Sequence, residues 1–228
     1  MNKSYICNSQ TEKISITMED FYSQIKLYIK DDDIKYIVDA GSLDGGDAIF
    51  FKNKYINANS YAIEGLPDNY EKFLKNNTQI TPINAVIANY DGYIKYYQKD
   101  INGIHGIYNR GNQYGKSILT LPCNKLSTIM KKYNIPNIDI LKIDVEGATY
   151  DLLLSLEENL SNIKIMHIET ETYPFFEGQT LHNDVCLFLI KNNFILIDIT
   201  FCEITPNNYQ SDSVWINKNI YQQFIHIF

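Results

Sequence analysis

The chain reads as an α/β protein: a mostly parallel sheet with helices on both faces. Three observations predict this class. Short apolar runs bounded by turn residues alternate with helix-period segments over most of the length, the order produced by parallel strands and crossover helices. The run Ile138-Asp-Ile-Leu-Lys-Ile-Asp-Val-Glu-Gly-Ala148 ends abruptly in Asp144 and Glu146 before a helical pattern, which is how an open sheet of this class carries carboxylates to a ligand site. Two final strands with no helix between them imply an antiparallel pair at one edge.

Each element follows from local pattern. Met18, Phe21, Ile25 and Ile29 recur at helical spacing in Thr17 to Lys30, and Thr17 with Asp20 resembles a capping box. The turn Asp31-Asp32-Asp33 ends that helix. Ile34 to Ala40 is a strand that stops at a glycine turn, and a helix runs from Asp47 to Lys54. Ser60 to Glu64 is the second strand; Pro67 to Asn76 is the second crossover helix, with proline in its first turn. Ile80 to Ala88 is expected as a third strand and Gly92 to Gln98 as an edge strand. The glycine-rich stretch Asp100 to Lys116, with His105, Tyr108, Arg110 and Tyr114, reads as a long functional loop. Leu126 to Tyr133 is a helix, Ile138 to Val145 a strand, Ala148 to Leu160 a helix and Ile163 to Glu169 a strand. Leu181 to Asn192 is helical; Phe194 to Phe201 and Ser213 to Asn217 are strands joined through Pro206-Asn207-Asn208. With no repeat or low-complexity linker, one domain over residues 1–228 is expected, with residues 1–33 as a helical extension and a core from about 35 to 217.

Composition excludes several classes. The chain has 228 residues, enough to bury a proper core, and 45% of them are hydrophobic. No apolar stretch is long enough for a membrane span, and Met1-Asn-Lys-Ser-Tyr-Ile-Cys lacks the layout of a secretory signal, so a cytoplasmic protein is expected. The formal net charge of -7 opposes general affinity for nucleic acid. Cys7, Cys123, Cys186 and Cys202 form no C-x-x-C pair and read as buried free thiols.

Two further strand ends carry candidate chemistry. Asp39-Ala-Gly41-Ser-Leu-Asp-Gly45-Gly46-Asp47 leads from the first strand into a helix, where glycines let backbone approach a ligand. Its spacing differs from the G-x-G-x-x-G of pyrophosphate binders, and Asp39 would repel a diphosphate. A cationic, phosphate-free cofactor such as S-adenosylmethionine suits this acidic surround better than NAD. Glu64 ends the second strand about 20 residues after the glycine turn, where it is placed to accept from ribose hydroxyls. An exposed strand-end glutamate is the bland reading of the same residue.

Val38-Asp39-Ala-Gly41, Ile63-Glu64 followed by Asn69-Tyr70-Glu71-Lys72-Phe73-Leu74, and Leu141-Lys142-Ile143-Asp144-Val145-Glu146-Gly147-Ala148 together resemble the FkbM-type methyltransferases, over residues from about 35 to 200. The Lys-Ile-Asp-Val-Glu-Gly block is the most specific part. The resemblance implies a Rossmann-like class I methyltransferase fold with seven strands and a reversed last strand. It also implies S-adenosylmethionine as donor, S-adenosylhomocysteine as product and often a sugar hydroxyl as acceptor, with a bacterial capsule or other surface-glycan pathway as its setting. The chain departs from the usual pattern with Gly41-Ser42-Leu43 at the turn and Glu64-Gly65-Leu66-Pro67 after the second strand.

Carried onto this chain, the resemblance places Asp39 and Gly41 around the methionine portion, Glu64 on the ribose and Leu66 against the adenine edge, with Ser42 and Gly45 also expected to bind the cofactor. Ala85 and Val86 would line the adenine pocket, although core packing explains them equally well. Asp144 would face the cofactor's amino group or the acceptor. Methyl transfer to a hydroxyl needs a base for its proton; Asp144, Glu169 and His182 are the candidates, with Glu146 on the same side of its strand as Asp144. His167 lies in an apolar run and reads as a core histidine. His105, Arg110 and Glu146 are the candidates for binding substrate; His226 receives no role. No metal is assigned, although an Asp/Glu cluster can hold Mg2+ with few protein ligands. An amide, amine or phosphorylated metabolite as acceptor, and a non-catalytic adenosyl-binding module, are the rival readings. A small-molecule or glycan partner is expected, and a homodimer is left open.

Overall fold

The computed structural model describes residues 15–100, 103–111 and 117–225; Cys7, Tyr114 and His226 lie outside the described residues. Seven strands form the main sheet: β1 (Tyr36–Ala40), β2 (Asn59–Glu64), β3 (Thr81–Asn84), β7 (Ile138–Ile143), β8 (Ile163–Glu171), β9 (Phe194–Thr205) and β10 (Asn208–Asn217). Their spatial order is β3-β2-β1-β7-β8-β10-β9, with β10 alone running against its neighbours. This is the Rossmann-like class I arrangement expected, including the reversed last strand. Order reverses between β1 and β7, and the crevice at such a switch point is where open α/β sheets bind ligands.

Register and period two divide the sheet residues between two faces. Ile37, Ile140, Ile165, Val214 and Ile216 form one face, under α1 (Met18–Tyr28), α2 (Gly46–Lys54) and α7 (Lys218–Ile225), a C-terminal helix that the sequence reading left out. Val38, Leu141, Ile143, Met166 and Trp215 form the other, packed with α4 (Leu126–Tyr133), α5 (Thr149–Ser155) and α6 (His182–Lys191). Helix α1 starts as its sequence requires. Thr17 Oγ1 accepts the Asp20 N–H at 3.1 Å while the Asp20 carboxylate accepts the Thr17 N–H at 3.0 Å, a cap worth about 1 kcal/mol. Phe21 and Ile25 are fully buried on its inner side, and each such side chain contributes about 1.5–3 kcal/mol.

Several expected elements differ in extent. Ile80 to Ala88 is two strands, because Ala85 N–H and the Asn84 side chain both bond the Glu64 carbonyl and the chain leaves β2 there. The next residues, β4 (Val86–Ile87), pair with β6 (Ser117–Asn124) in a second sheet of order β4-β6-β5, where β5 is Gly92–Gln98. Strand β6 was not anticipated. The helix after Pro67 is one α-turn, α3 (Pro67–Asn69), that widens into a π-turn over Tyr70–Leu74. The Ala148 to Leu160 helix breaks at Glu157, which has φ +54°, and continues as a 3-10 segment. Of the thiols, Cys123 is buried and Cys186 and Cys202 are half-buried; all three are free.

Candidate active site

Three strand ends and two turns build the site. β1 gives way to Gly41, whose φ is +82° and on which a Cβ would sit 1.7 Å from the Asp144 carbonyl oxygen. Only glycine fits there, so the turn after β1 lies directly on the end of β7. The N–H groups of Gly41 and Ser42 both bond the Ile63 carbonyl at 3.0 Å, which ties this turn to β2. Glu64, at the tip of β2, accepts the Leu43 N–H at 3.0 Å and the Leu66 N–H at 2.8 Å. Burial raises its pKa, and those backbone donors, with the Asn69 amide, work the other way.

These ends open on one cavity with about 700 Å3 of empty space, part of it continuous with solvent. Gly41, Leu43, Glu64, Gly65, Ala85, Val86, Asp144, Val145, Glu146 and Ala148 line the sheet side; Tyr96, His105 and Gly106 line the other. Of the residues the sequence singled out, Gly41, Glu64, Ala85, Val86, His105, Asp144 and Glu146 therefore share one chamber.

Others stand behind it. Asp39, 2% exposed, points beneath α2, where its carboxylate accepts from Ser42 Oγ at 2.6 Å. Gly45 caps α2 with φ +82°, against Leu74 and Ile80. Leu66 is buried among Val86, Tyr96 and Cys123. His182 Nδ1 lies 2.9 Å from both Thr170 Oγ1 and Ser211 Oγ, its ring packs on Phe201, and the residue does not line the cavity. His167 is buried against Phe21 on the α1 face.

Lys142 was not a sequence candidate, yet it organises one half of the charge. Paired in register with Asp39, it lies 3.1 Å from Asp47 and Asp144 and 3.8 Å from Asp39. Burial opposes its charge, but the three aspartates outweigh burial and hold its pKa above the ordinary value. Burial lifts Asp39 to about 6 even though Lys142 pulls it down.

The second group is more crowded. The expectation that Asp144 and Glu146 share a strand face gives way to a turn: β7 ends at Ile143, and Glu146 (φ +49°) and Gly147 (φ +81°) are both left-handed. That turn still gathers carboxylates, since oxygens of Asp144, Glu146 and Glu169 lie within 4.8 Å of one another. They are the group among the described residues that could hold a divalent cation. Arg110 reaches Glu146 at 3.2 Å and stacks over Phe176 at 5.1 Å. Burial and then Asp144 raise Glu146 to about 8, against the pull of Arg110. Burial and the neighbouring carboxylates hold Glu169 well above the usual range, and burial lifts Glu171 to about 7 while Gln179 and Arg110 draw it down.

Comparison with known families decides what this chamber belongs to. The family model described as the methyltransferase FkbM domain matches residues 39–196, more than half of the chain. The chain belongs to the FkbM methyltransferase family. It is thus a methyltransferase by family. No curated protein matches it. Among solved structures, the N-terminal domain of EvdMO1 with S-adenosylhomocysteine bound aligns at TM-score 0.50 and 8% identity, covering 88% of this chain and 80% of that one. M. capricolum TrmK, also with S-adenosylhomocysteine, aligns at 0.49 and 17%, covering 86% and 67%. FkbM from Methylobacillus flagellatus aligns at 0.49 and 12%, covering 79% of this chain, which spans only 44% of that protein. No helix among the described residues is long and apolar enough to cross a membrane.

Proposed function

We propose that this FkbM-family chain methylates a hydroxyl group, that of a sugar in the reading its family resemblance implies, with Glu169 as general base. The cofactor supplies an electrophilic methyl on a sulfonium centre. The residues fit that group: Glu64 keeps acceptor lone pairs beyond its two backbone bonds for ribose hydroxyls, Ala85 and Val86 offer an apolar slot, and Asp144 presents a carboxylate to a cation.

The carboxylate cluster supports the choice of a hydroxyl. A hydroxyl attacking carbon must give up its proton as the new bond forms. Glu169 has a proton affinity raised by burial and by Asp144 and Glu146, and its side chain makes no hydrogen bond among the described residues. Glu169 is not itself a cavity-lining residue, but its oxygen lies within 4.8 Å of those of Asp144 and Glu146, which are, and Arg110 pairs with Glu146 alongside. Positioning of donor and nucleophile supplies the rest of the rate.

Thermal shift tests the cofactor assignment. S-adenosylhomocysteine at 100 times its Kd should add about 2.7 kcal/mol to stability, and NAD should add nothing; a flat response to the first removes the reading. Glu169→Gln should then abolish methylation in a screen of nucleotide sugars with labelled donor while leaving S-adenosylhomocysteine affinity intact. Full turnover would pass the base role to Asp144.

A further inference from the structure

The second wall of the cavity comes from β5 and the loop after it, and it holds two polar groups without a hydrogen-bond partner among the described residues. Tyr96 is 6% exposed, and its hydroxyl has no hydrogen-bond partner among the described residues. That hydroxyl and its ring edge come within 3.2 Å of where a Cβ on Gly65 would lie, so the phenol stands beside the residue that follows Glu64. Burial, Glu64 and Glu146 keep it protonated, as a donor.

His105 is 8% exposed and lines the same cavity. Its Nδ1 accepts the Lys99 N–H at 3.0 Å, which puts the ring proton of the neutral form on Nε2. Nε2 is buried with no partner. Burial lowers the ring's pKa, so it is neutral at pH 7 and donates from Nε2. The backbone around it is anchored: Tyr97 and Gly106 exchange hydrogen bonds of 2.7 and 3.3 Å. Buried polar groups without partners are rare, and His105 Nε2 is one, on a residue that lines the ligand chamber beside Tyr96, whose hydroxyl is likewise unbonded among the described residues.

We propose that Tyr96 and His105 are the donors that read the nucleoside half of the cofactor. The inference rests on the adenosyl-cofactor reading above. The strand-tip wall offers mainly acceptors, the carboxylates of Glu64, Asp144 and Glu146, which suit ribose hydroxyls and an ammonium group. A nucleoside also carries lone pairs without protons, on its ring nitrogens and ring oxygen, and carboxylates cannot serve those. Tyr96 and His105 supply the missing polarity, and the place of Tyr96 beside Gly65 puts it at the nucleoside end rather than the amino-acid end.

Calorimetric titration of S-adenosylhomocysteine and 5′-methylthioadenosine, which lacks the amino acid, tests this in the wild type, Tyr96→Phe and His105→Ala. Each variant should lose about three- to tenfold in affinity for both ligands, and the losses should multiply in the double variant. Unchanged affinities overturn the proposal, as does a loss confined to S-adenosylhomocysteine. A wild type that binds neither ligand instead overturns the cofactor reading itself. Because His105→Ala also strips the Lys99 N–H of its acceptor, Tyr96→Phe is the decisive variant. Without ligand it should melt no lower than the wild type, since the hydroxyl it removes bonds nothing among the described residues; a lower melting temperature would show a structural partner and overturn the role.

Discussion

Two groups of carboxylates meet at the end of β7, each served by one cation, and they behave differently. Lys142 lies within 3.1 Å of two aspartates and 3.8 Å of a third. Arg110 reaches Glu146 at 3.2 Å and also draws Glu171 down. Asp39 is almost wholly buried yet rises only to about 6, whereas Glu146 rises to about 8 and Glu171 to about 7. Burial raises all three; Lys142 offsets it at Asp39, whereas at Glu146 the neighbouring Asp144 adds to it against the pull of Arg110. The Lys142 group is a fixed part of the fold beneath the glycine turn. In the Arg110 group the carboxylates raise one another's pKa values, and Asp144 and Glu146 line the chamber proposed to take the cofactor.

The largest effect should come from breaking the first group. Lys142→Met removes its only cation and leaves Asp39 buried with no counter-charge, which should cost about 3–5 kcal/mol in urea unfolding. Adding Asp39→Asn to that variant should restore much of the loss. A single-variant cost below about 1 kcal/mol would mean that Asp39 simply takes a proton, and the contrast between the groups would collapse.

A smaller effect should appear in the pH dependence of the second group. Glu146 and Glu171 have pKa values above those of an unfolded chain, so the folded protein holds their protons more tightly. Their contribution to stability is full below the ordinary value of 4.5 and is lost as pH rises through about 7 and about 8. Melting temperature without ligand should fall across that window, and Glu146→Gln should flatten the upper part of the fall. A wild-type profile that stays level from pH 5 to 9 would refute the crowding.

What the sequence made legible divides along similar lines. Asp39, Gly41, Glu64 and Asp144 stand where apolar runs break into turns, and that punctuation is local. Lys142 sits inside such a run, and its role depends on β1 and β7 pairing so that it faces Asp39, which only register reveals. Tyr96 is one of three tyrosines in Tyr93-Ile-Lys-Tyr-Tyr97, and its inward direction is set by pairing with β6, whose Pro122 and polar alternation masked it as a strand. His182 does open a helix, as expected, but α6 packs so that the ring turns toward Thr170 and Ser211. A helix start can be read from sequence more readily than the side of the sheet it faces.

Gln179 offers the smallest and sharpest probe of the second group. Its side chain accepts the Phe176 N–H at 2.7 Å and donates to Glu171 at 2.7 Å, so it couples the loop that packs on Gly147 to one of the poorly neutralised carboxylates. The donation favours ionised Glu171 and lowers its pKa. In Gln179→Ala the charged form loses that bond, while the protonated form has less to lose. The penalty should therefore grow with pH, reaching about 1–2 kcal/mol above pH 8 and less at pH 5, where mainly the Phe176 N–H is left unmet. Chemical denaturation at the two pH values measures the difference. Equal penalties would mean that Glu171 keeps its proton throughout, and that the Arg110 group is even less neutralised than its distances imply.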